Sequence, residues 1–175
     1  MNISVGDLSV RAFRTPDLDA LVSEANNPKV ARWLSNSFPV PYLRESGEWW
    51  IEKCQNDEPT SSFAICRNDV VIGGIGVGIM SDIWSKCGEL GYWLGEDHWG
   101  QGIVTLLLPQ FVVSCFANYD LERIEAWVHE ANGGSARVLL KSGFTLEGVM
   151  RSRVFKNGET ADASLFSILK DEVPK

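Results

Sequence analysis

Apolar positions recur along this chain with two periods, and the changes between them divide it into elements. Residues 8–13, Leu-Ser-Val-Arg-Ala-Phe, alternate as a half-buried strand does. Thr15-Pro16-Asp17 then supplies a capping residue with proline at the first helical position, and Leu18, Leu21 and Val22 fall on one face of the helix that follows. Asn26-Asn27-Pro28 ends it ahead of a short second helix expected around residues 30–34. Pro39 and Pro41 mark a loop, and a third helix is expected over residues 44–55, carrying Trp49, Trp50 and Ile51. From Ser61 the period shortens to two. Residues 61–67 and 70–80 read as strands joined at Asn68-Asp69, a hairpin signal. Residues 87–94 read as the next strand, 100–118 as a long helix, 123–128 as a strand, 132–142 as a helix and 145–155 as a strand. Asn157-Gly158 turns the chain into a last strand, 161–169. This order predicts a mixed α+β domain whose helices cover a largely antiparallel sheet.

The chain length of 175 residues fits a single domain, 1–175, with one core. Hydrophobic residues at 45% and charged residues at 22% are globular proportions, and no repeat or low-complexity tract interrupts them. The first eleven residues have neither a basic nor an apolar leader segment. The most apolar stretch, 103–116, contains Pro109, Gln110 and Ser114 and is shorter than the roughly 20 residues a membrane span needs. A cytoplasmic location without membrane association is therefore expected. Cys54, Cys66, Cys87 and Cys115 are scattered, with only His98 and His129 to join them, so reduced and mostly buried thiols are expected rather than a metal site. The net charge of −7 argues against a nucleic-acid-tracking surface. It suits a cationic substrate, and equally serves solubility.

Two segments carry candidate chemistry. In the first, the strand Glu89-Leu-Gly-Tyr-Trp-Leu94 leads through Gly95-Glu-Asp-His-Trp99 into Gly100-Gln101-Gly102 and the long apolar helix. Unpaired amides and the positive end of the dipole at such a helix start suit a phosphate, glycines let the backbone approach it, and Thr105 adds a hydroxyl. A tight turn using glycine for positive φ explains the same spacing. The third glycine of a dinucleotide fingerprint and the Gly-Lys-Ser/Thr of a P-loop are both missing. The other glycine cluster, Gly73-Gly74-Ile75-Gly76-Val77-Gly78, precedes no helix and reads as a bulged, closely packed strand.

The second segment runs Asn132-Gly-Gly-Ser135-Ala-Arg-Val-Leu139-Leu-Lys-Ser-Gly143-Phe144. Asn132 suits the N-cap, Ser135 the first turn and Gly143 the position after the helix. A hydroxyl there can donate to a leaving group that the dipole also stabilises. Alternatively, Asn132 and Ser135 serve only the helix's own amides.

Taken together, Tyr-Trp-Leu-Gly ahead of Trp-Gly-Gln-Gly-Ile, then Asn-x-x-Ser-x-x-Val-Leu-x-Lys-x-Gly-Phe, then Glu147-Gly148-Val-Met-Arg151 and Asp162, resemble the GNAT acetyltransferases, in particular their ribosomal-protein N-terminal acetyltransferase branch. The resemblance covers nearly the whole chain. It implies a twisted, mostly antiparallel sheet of about seven strands flanked by helices and splaying beside the 89–94 strand. Acetyl-CoA is the implied donor, with no metal. By the same resemblance, the backbone of Tyr92, Trp93 and Leu94 pairs with the pantetheine arm. The pyrophosphate lies on the motif opened by Trp99, against the amides of Gly100, Gln101, Gly102, Ile103, Val104 and Thr105, and Asn132 contacts the cofactor arm. The implied acceptor is an amine: a protein N-terminus, a polyamine or another small amine.

Glu89 lies on the same strand face as Trp93 and matches an acid of related enzymes, so it is the candidate base, acting through water; an exposed or ion-paired carboxylate fits the position equally. Ser135 is the candidate acid suggested by the ribosomal-protein branch. Many GNAT enzymes place a tyrosine one turn later, where this chain has Leu139. That departure keeps a non-catalytic acyl-CoA-binding module as the alternative. Trp99 stands where Arg or Gln is usual, Val104 where a small residue is usual, and Pro109 is expected to bend the long helix. Trp33, Trp49, Trp50 and Trp84 fall in the regions that form the acceptor side of the family, and they fit either core positions or an aromatic slot. Acceptor identity and dimerisation are left open by the sequence.

Overall fold

Two short strands, β1 (Ile3–Val5) and β2 (Leu8–Arg11), open the chain in a computed structural model that describes residues 1–173. Pro174 and Lys175, the last positions of the expected domain, lie outside the described residues. Three helices follow, α1 (Leu18–Ala25), α2 (Pro28–Ala31) and α3 (Arg44–Asn56), and then three strands, β3 (Ser62–Arg67), β4 (Val70–Ile79) and β5 (Cys87–Leu94). The remainder is α4 (Ile103–Asn118), β6 (Arg123–His129), α5 (Gly133–Lys141), β7 (Thr145–Lys156) and β8 (Glu159–Leu169). The strands form one sheet in the order β1-β2-β3-β4-β5-β6-β8-β7. Its described registers are antiparallel except for β5 with β6. The expected α+β architecture is the one observed, with β1 as an additional edge strand. β1 returns to β2 through Gly6-Asp7, where Gly6 has φ +59°, and is too short to show a period.

The chain divides into two compact units, Met1–Gly76 with Gly91–Ile103, and Val77–Leu90 with Val104–Lys175. In the first, Phe13, Leu18, Leu21, Ile51 and Val71 belong to one buried cluster. Each such side chain contributes about 1.5–3 kcal/mol relative to exposure. Gly47 lets α3 approach α1, because a Cβ there would stand 2.7 Å from Leu18 Cδ1 and 2.9 Å from Val22 Cγ2. The buried Arg11 guanidinium donates to both carboxylate oxygens of Asp17 (2.7 and 2.8 Å) and to Asp69 Oδ1 (2.6 Å). These bonds, led by that to Asp17, raise the Arg11 pKa further while burial opposes them, so the buried charge is paired rather than orphaned. Asp69 belongs to the Asn68-Asp69 turn, where both residues have positive φ, as the hairpin signal requires.

Two helix starts differ from the sequence pattern. α2 begins at Pro28 because Asn27 caps it, its side chain accepting the Lys29 amide (2.9 Å). α4 begins at Ile103 rather than residue 100, since Gly100 (φ +72°) and Gly102 (φ +74°) occupy left-handed conformations that a right-handed helix excludes. The glycine-rich β4 is bulged as expected: Ile65 pairs with Gly73 and Cys66 with Val71, leaving Ile72 as the extra residue.

In the second unit, α4 buries Leu107, Leu108, Phe111, Val112 and Cys115 and continues past the exposed Pro109 to Asn118. The C-terminus of α5 is closed by bonds from Phe144 N to Leu139 O (3.0 Å) and from Gly143 N to Leu140 O (3.3 Å), with Gly143 at φ +92°. Three thiols, Cys54, Cys66 and Cys115, are buried and Cys87 is half-buried. Burial pushes the first three up to about 12, 11 and 12. Among the described residues no helix is long and apolar enough to cross a membrane.

Candidate active site

The first unit holds Tyr92, Trp93, Leu94 and the segment from Trp99 to Ile103. β5 can lie close to β4 here because β4 has no side chain in the way. A Cβ on Gly73 would stand 2.2 Å from the Trp93 carbonyl oxygen, and one on Gly74 would stand 2.8 Å from the Trp93 ring nitrogen. The Trp93 ring meets Phe38 edge-on, with centroids 6.0 Å apart. Beyond the strand, Gly95 N–H donates to Ile72 O (2.9 Å), and the Trp99 indole N–H reaches back to the Leu94 carbonyl (2.8 Å), closing the loop. Trp99 therefore serves as a loop clamp at the position where the family usually has Arg or Gln.

Other contacts to this loop come from residues to which the sequence pattern gave no part in the site. Glu96 accepts from Asn27 Nδ2 (2.9 Å) and from the Lys29 ammonium, and these bonds, led by the one from Lys29, hold its carboxyl below the usual range. Glu24 Oε1 lies 3.5 Å from His98 Nε2, and Glu24 Oε2 occupies the space a Cβ on Gly95 would need. Arg67 Nη1 donates to Gln101 Oε1 (3.0 Å). A Cβ at Gly100 or Gly102 would meet nothing within 4 Å, so these glycines are required for their φ, and the space before them is open. The first amides of α4, whose intrahelical partners do not exist, begin immediately after them.

The second unit holds Glu89, Val104, Thr105, Asn132 and Ser135. The parallel pairing of β5 with β6 joins Cys87, Gly88 and Glu89 to Arg123, Ile124 and Glu125. Glu89 is exposed and faces Glu125, whose own carboxylate is held by Arg123 Nε (2.9 Å). The bulk of Val104 is buried rather than set in front of the helix start, and Thr105 is half-buried. Asn132 caps α5 through its side-chain oxygen, which accepts the Ser135 amide (3.2 Å), and both residues are half-buried. Leu139, at the usual tyrosine position, is fully buried and serves packing.

A family model for the acetyltransferase (GNAT) domain matches residues 7–145. The chain belongs to the GNAT acetyltransferase family. Over 145 residues this GNAT chain is 32% identical to the ribosomal-protein-serine acetyltransferase of Escherichia coli (strain K12), covering 79% of this chain and 80% of that one. The resemblance to the ribosomal-protein branch is thus borne out, and the protein is an N-acetyltransferase by family. Its fold matches a ribosomal L7/L12 alpha-N-protein acetyltransferase solved in complex with coenzyme A, at a TM-score of 0.86 and 21% identity over 98% of this chain and 99% of that one. It also matches a spermidine N-acetyltransferase from Vibrio cholerae in complex with CoA and spermine, at a TM-score of 0.79 and 21% identity over 97% and 99%.

The tryptophans do not behave as one group in this GNAT structure. Trp33 and Trp50 are half-buried and already carry cations of the chain itself, Arg32 at 4.3 Å and Lys53 at 5.5 Å from the ring centroids. Trp49 and Trp84 are 62% and 58% exposed. Core packing therefore describes neither of that second pair.

Proposed function

We propose that this GNAT enzyme transfers an acetyl group from acetyl-CoA to a primary amine by direct attack of the amine on the thioester. The observation that carries the reading is the left-handed pair Gly100 and Gly102 directly ahead of α4, with open space where their side chains would stand, so that a diphosphate could approach the unpaired amides of the helix start. In this reading Gly100, Gln101, Gly102, Ile103, Val104 and Thr105 hold the pyrophosphate by their amides, and Trp99 fixes the turn. The backbone of Tyr92, Trp93 and Leu94 takes the pantetheine arm, with Asn132 beside it. Acetyl-CoA supplies an activated acyl group. Glu89 accepts the proton of the acceptor amine through water, and the Ser135 hydroxyl, in the first turn of α5, gives a proton to the departing thiolate. No metal enters this scheme.

The acceptor is a protein N-terminus or a small amine such as a polyamine, the classes named for the structurally similar L7/L12 alpha-N-protein acetyltransferase and spermidine N-acetyltransferase. The same reading treats 1–175 as one cytoplasmic domain acting without nucleic acid or membrane. The test is thiol release from acetyl-CoA over a panel of N-terminal peptides, polyamines and aminoglycosides. Release above the hydrolytic background with any member supports the reading, and no increase with any of them overturns it.

A further inference from the structure

Gln101 stands between the two left-handed glycines, and its side chain is held at both ends. Oε1 accepts from Arg67 Nη1 (3.0 Å), while Nε2 donates to the Asp97 carbonyl (2.7 Å). Only a side chain that accepts at one atom and donates at another can bridge these two groups; a lysine or a glutamate there could satisfy one of them. Arg67 is the last residue of β3, 34 positions away in sequence. Its Nε is buried and has no hydrogen-bond partner, but Asp7 Oδ2 lies 3.3 Å away at ion-pair distance, so the guanidinium is oriented by charge on one edge and by Gln101 on the other. The Trp99 bond to Leu94 O secures the same loop from its other side.

Glycine loses more backbone freedom on ordering than any other residue, so a turn with glycine on both sides of one residue has the least intrinsic reason to hold its amides in fixed directions. We propose that Arg67 is a positioning residue for the donor: through Gln101 it fixes the 100–102 turn in the conformation that receives the pyrophosphate, and it keeps a positive charge beside that turn. This inference rests on the acetyl-CoA reading above.

Calorimetric titration of acetyl-CoA into the wild type, Arg67→Ala, Gln101→Ala and the double variant tests it. Each single variant is expected to bind about tenfold more weakly, the effect of one charge-assisted hydrogen bond, and the double variant no more weakly than the worse single. Arg67→Lys, which still offers a donor to Gln101 Oε1, is expected to recover part of the loss. S-acetylpantetheine, which has no pyrophosphate, is expected to bind all the variants as it binds the wild type. Unchanged acetyl-CoA affinity in Arg67→Ala overturns the inference. So do additive losses in the double variant, which would put Arg67 on the phosphate directly, and so does a parallel loss of S-acetylpantetheine binding, which would mark a general disturbance. A wild type that binds S-acetylpantetheine and acetyl-CoA equally well overturns the inference while leaving the acetyl-CoA reading standing. A wild type that does not bind acetyl-CoA overturns both.

Discussion

The side-chain oxygen of Asn132 accepts the backbone N–H of Ser135, so the residue assigned to the cofactor arm is also the cap of the helix that carries the assigned acid. Removing that acceptor in Asn132→Ala is expected to cost about 1 kcal/mol of stability, read as a lower denaturation midpoint. Asn132→Asp keeps an oxygen acceptor and is expected to restore the midpoint. If acetyl-CoA affinity falls in both variants, the amide nitrogen contributes to binding. If it falls in the alanine variant alone, the effect passes through the helix.

The bond to the Ser135 backbone also separates the two roles of Ser135. Because that bond runs to the backbone amide, which Ser135→Ala retains, the variant is expected to keep it while lowering kcat about a hundredfold, with little change in acetyl-CoA affinity. Unchanged kcat with an accepted amine assigns the proton to water.

Glu89 is exposed on β5, and its replacement by glutamine is expected to flatten the rise of kcat/KM with pH. A pH profile identical to that of the wild type would mean that the amine loses its proton without this carboxylate.

Arg123 donates through Nη1 and Nη2 to the two oxygens of Glu147 (2.5 and 2.7 Å), and Ser167 Oγ adds a third bond (2.6 Å). The Arg123 bonds first, and Ser167 second, hold the Glu147 carboxyl at about 2 instead of the usual 4.5. A carboxyl lowered in the folded state stabilises the fold above its unfolded pKa and loses that contribution as pH falls through the folded one. The stability gap between the wild type and Glu147→Gln is therefore expected to be full above pH 4.5 and to close toward pH 2. With Glu147 38% exposed, the gap is expected to be only about 1 kcal/mol. Urea midpoints measured across that range check both statements.

The glycines of β4 are not equivalent. Gly73→Ala would drive a methyl against the Trp93 carbonyl oxygen at 2.2 Å and Leu94 Cδ2 at 2.8 Å, and main chain cannot rotate away as a side chain can. A loss of about 3 kcal/mol is expected. At the exposed Gly78 a Cβ has its nearest neighbour 3.9 Å away, and Gly78→Ala is expected to stay within about 0.5 kcal/mol of wild type. Denaturation midpoints of the two variants make the comparison.

What could be read from the sequence follows the range of the interaction. The Asn132 cap and the glycine close of α5 are local and were legible from spacing alone, as was the bulged, close-packed character of β4. The start of α4 was not, because an apolar helix pattern does not reveal that two glycines before it have taken positive φ. The contacts that hold the 95–102 loop were illegible for a stronger reason. Arg67, Asn27 and Lys29 are 34, 69 and 67 positions from their partners, and each alone looks like an ordinary surface polar residue. Leu139 was legible as a departure from the family's usual tyrosine, and its complete burial explains the residue as packing rather than chemistry.

The thiols have a practical consequence. A reagent that turns coloured on meeting a free thiolate finds Cys54, Cys66 and Cys115 buried and held in the protonated form at neutral pH, with Cys87 the one partly accessible. Each native chain thus adds no more than a single equivalent of background to a colorimetric assay, however many turnovers release coenzyme A, so continuous detection of the product suits this enzyme without prior blocking of its cysteines.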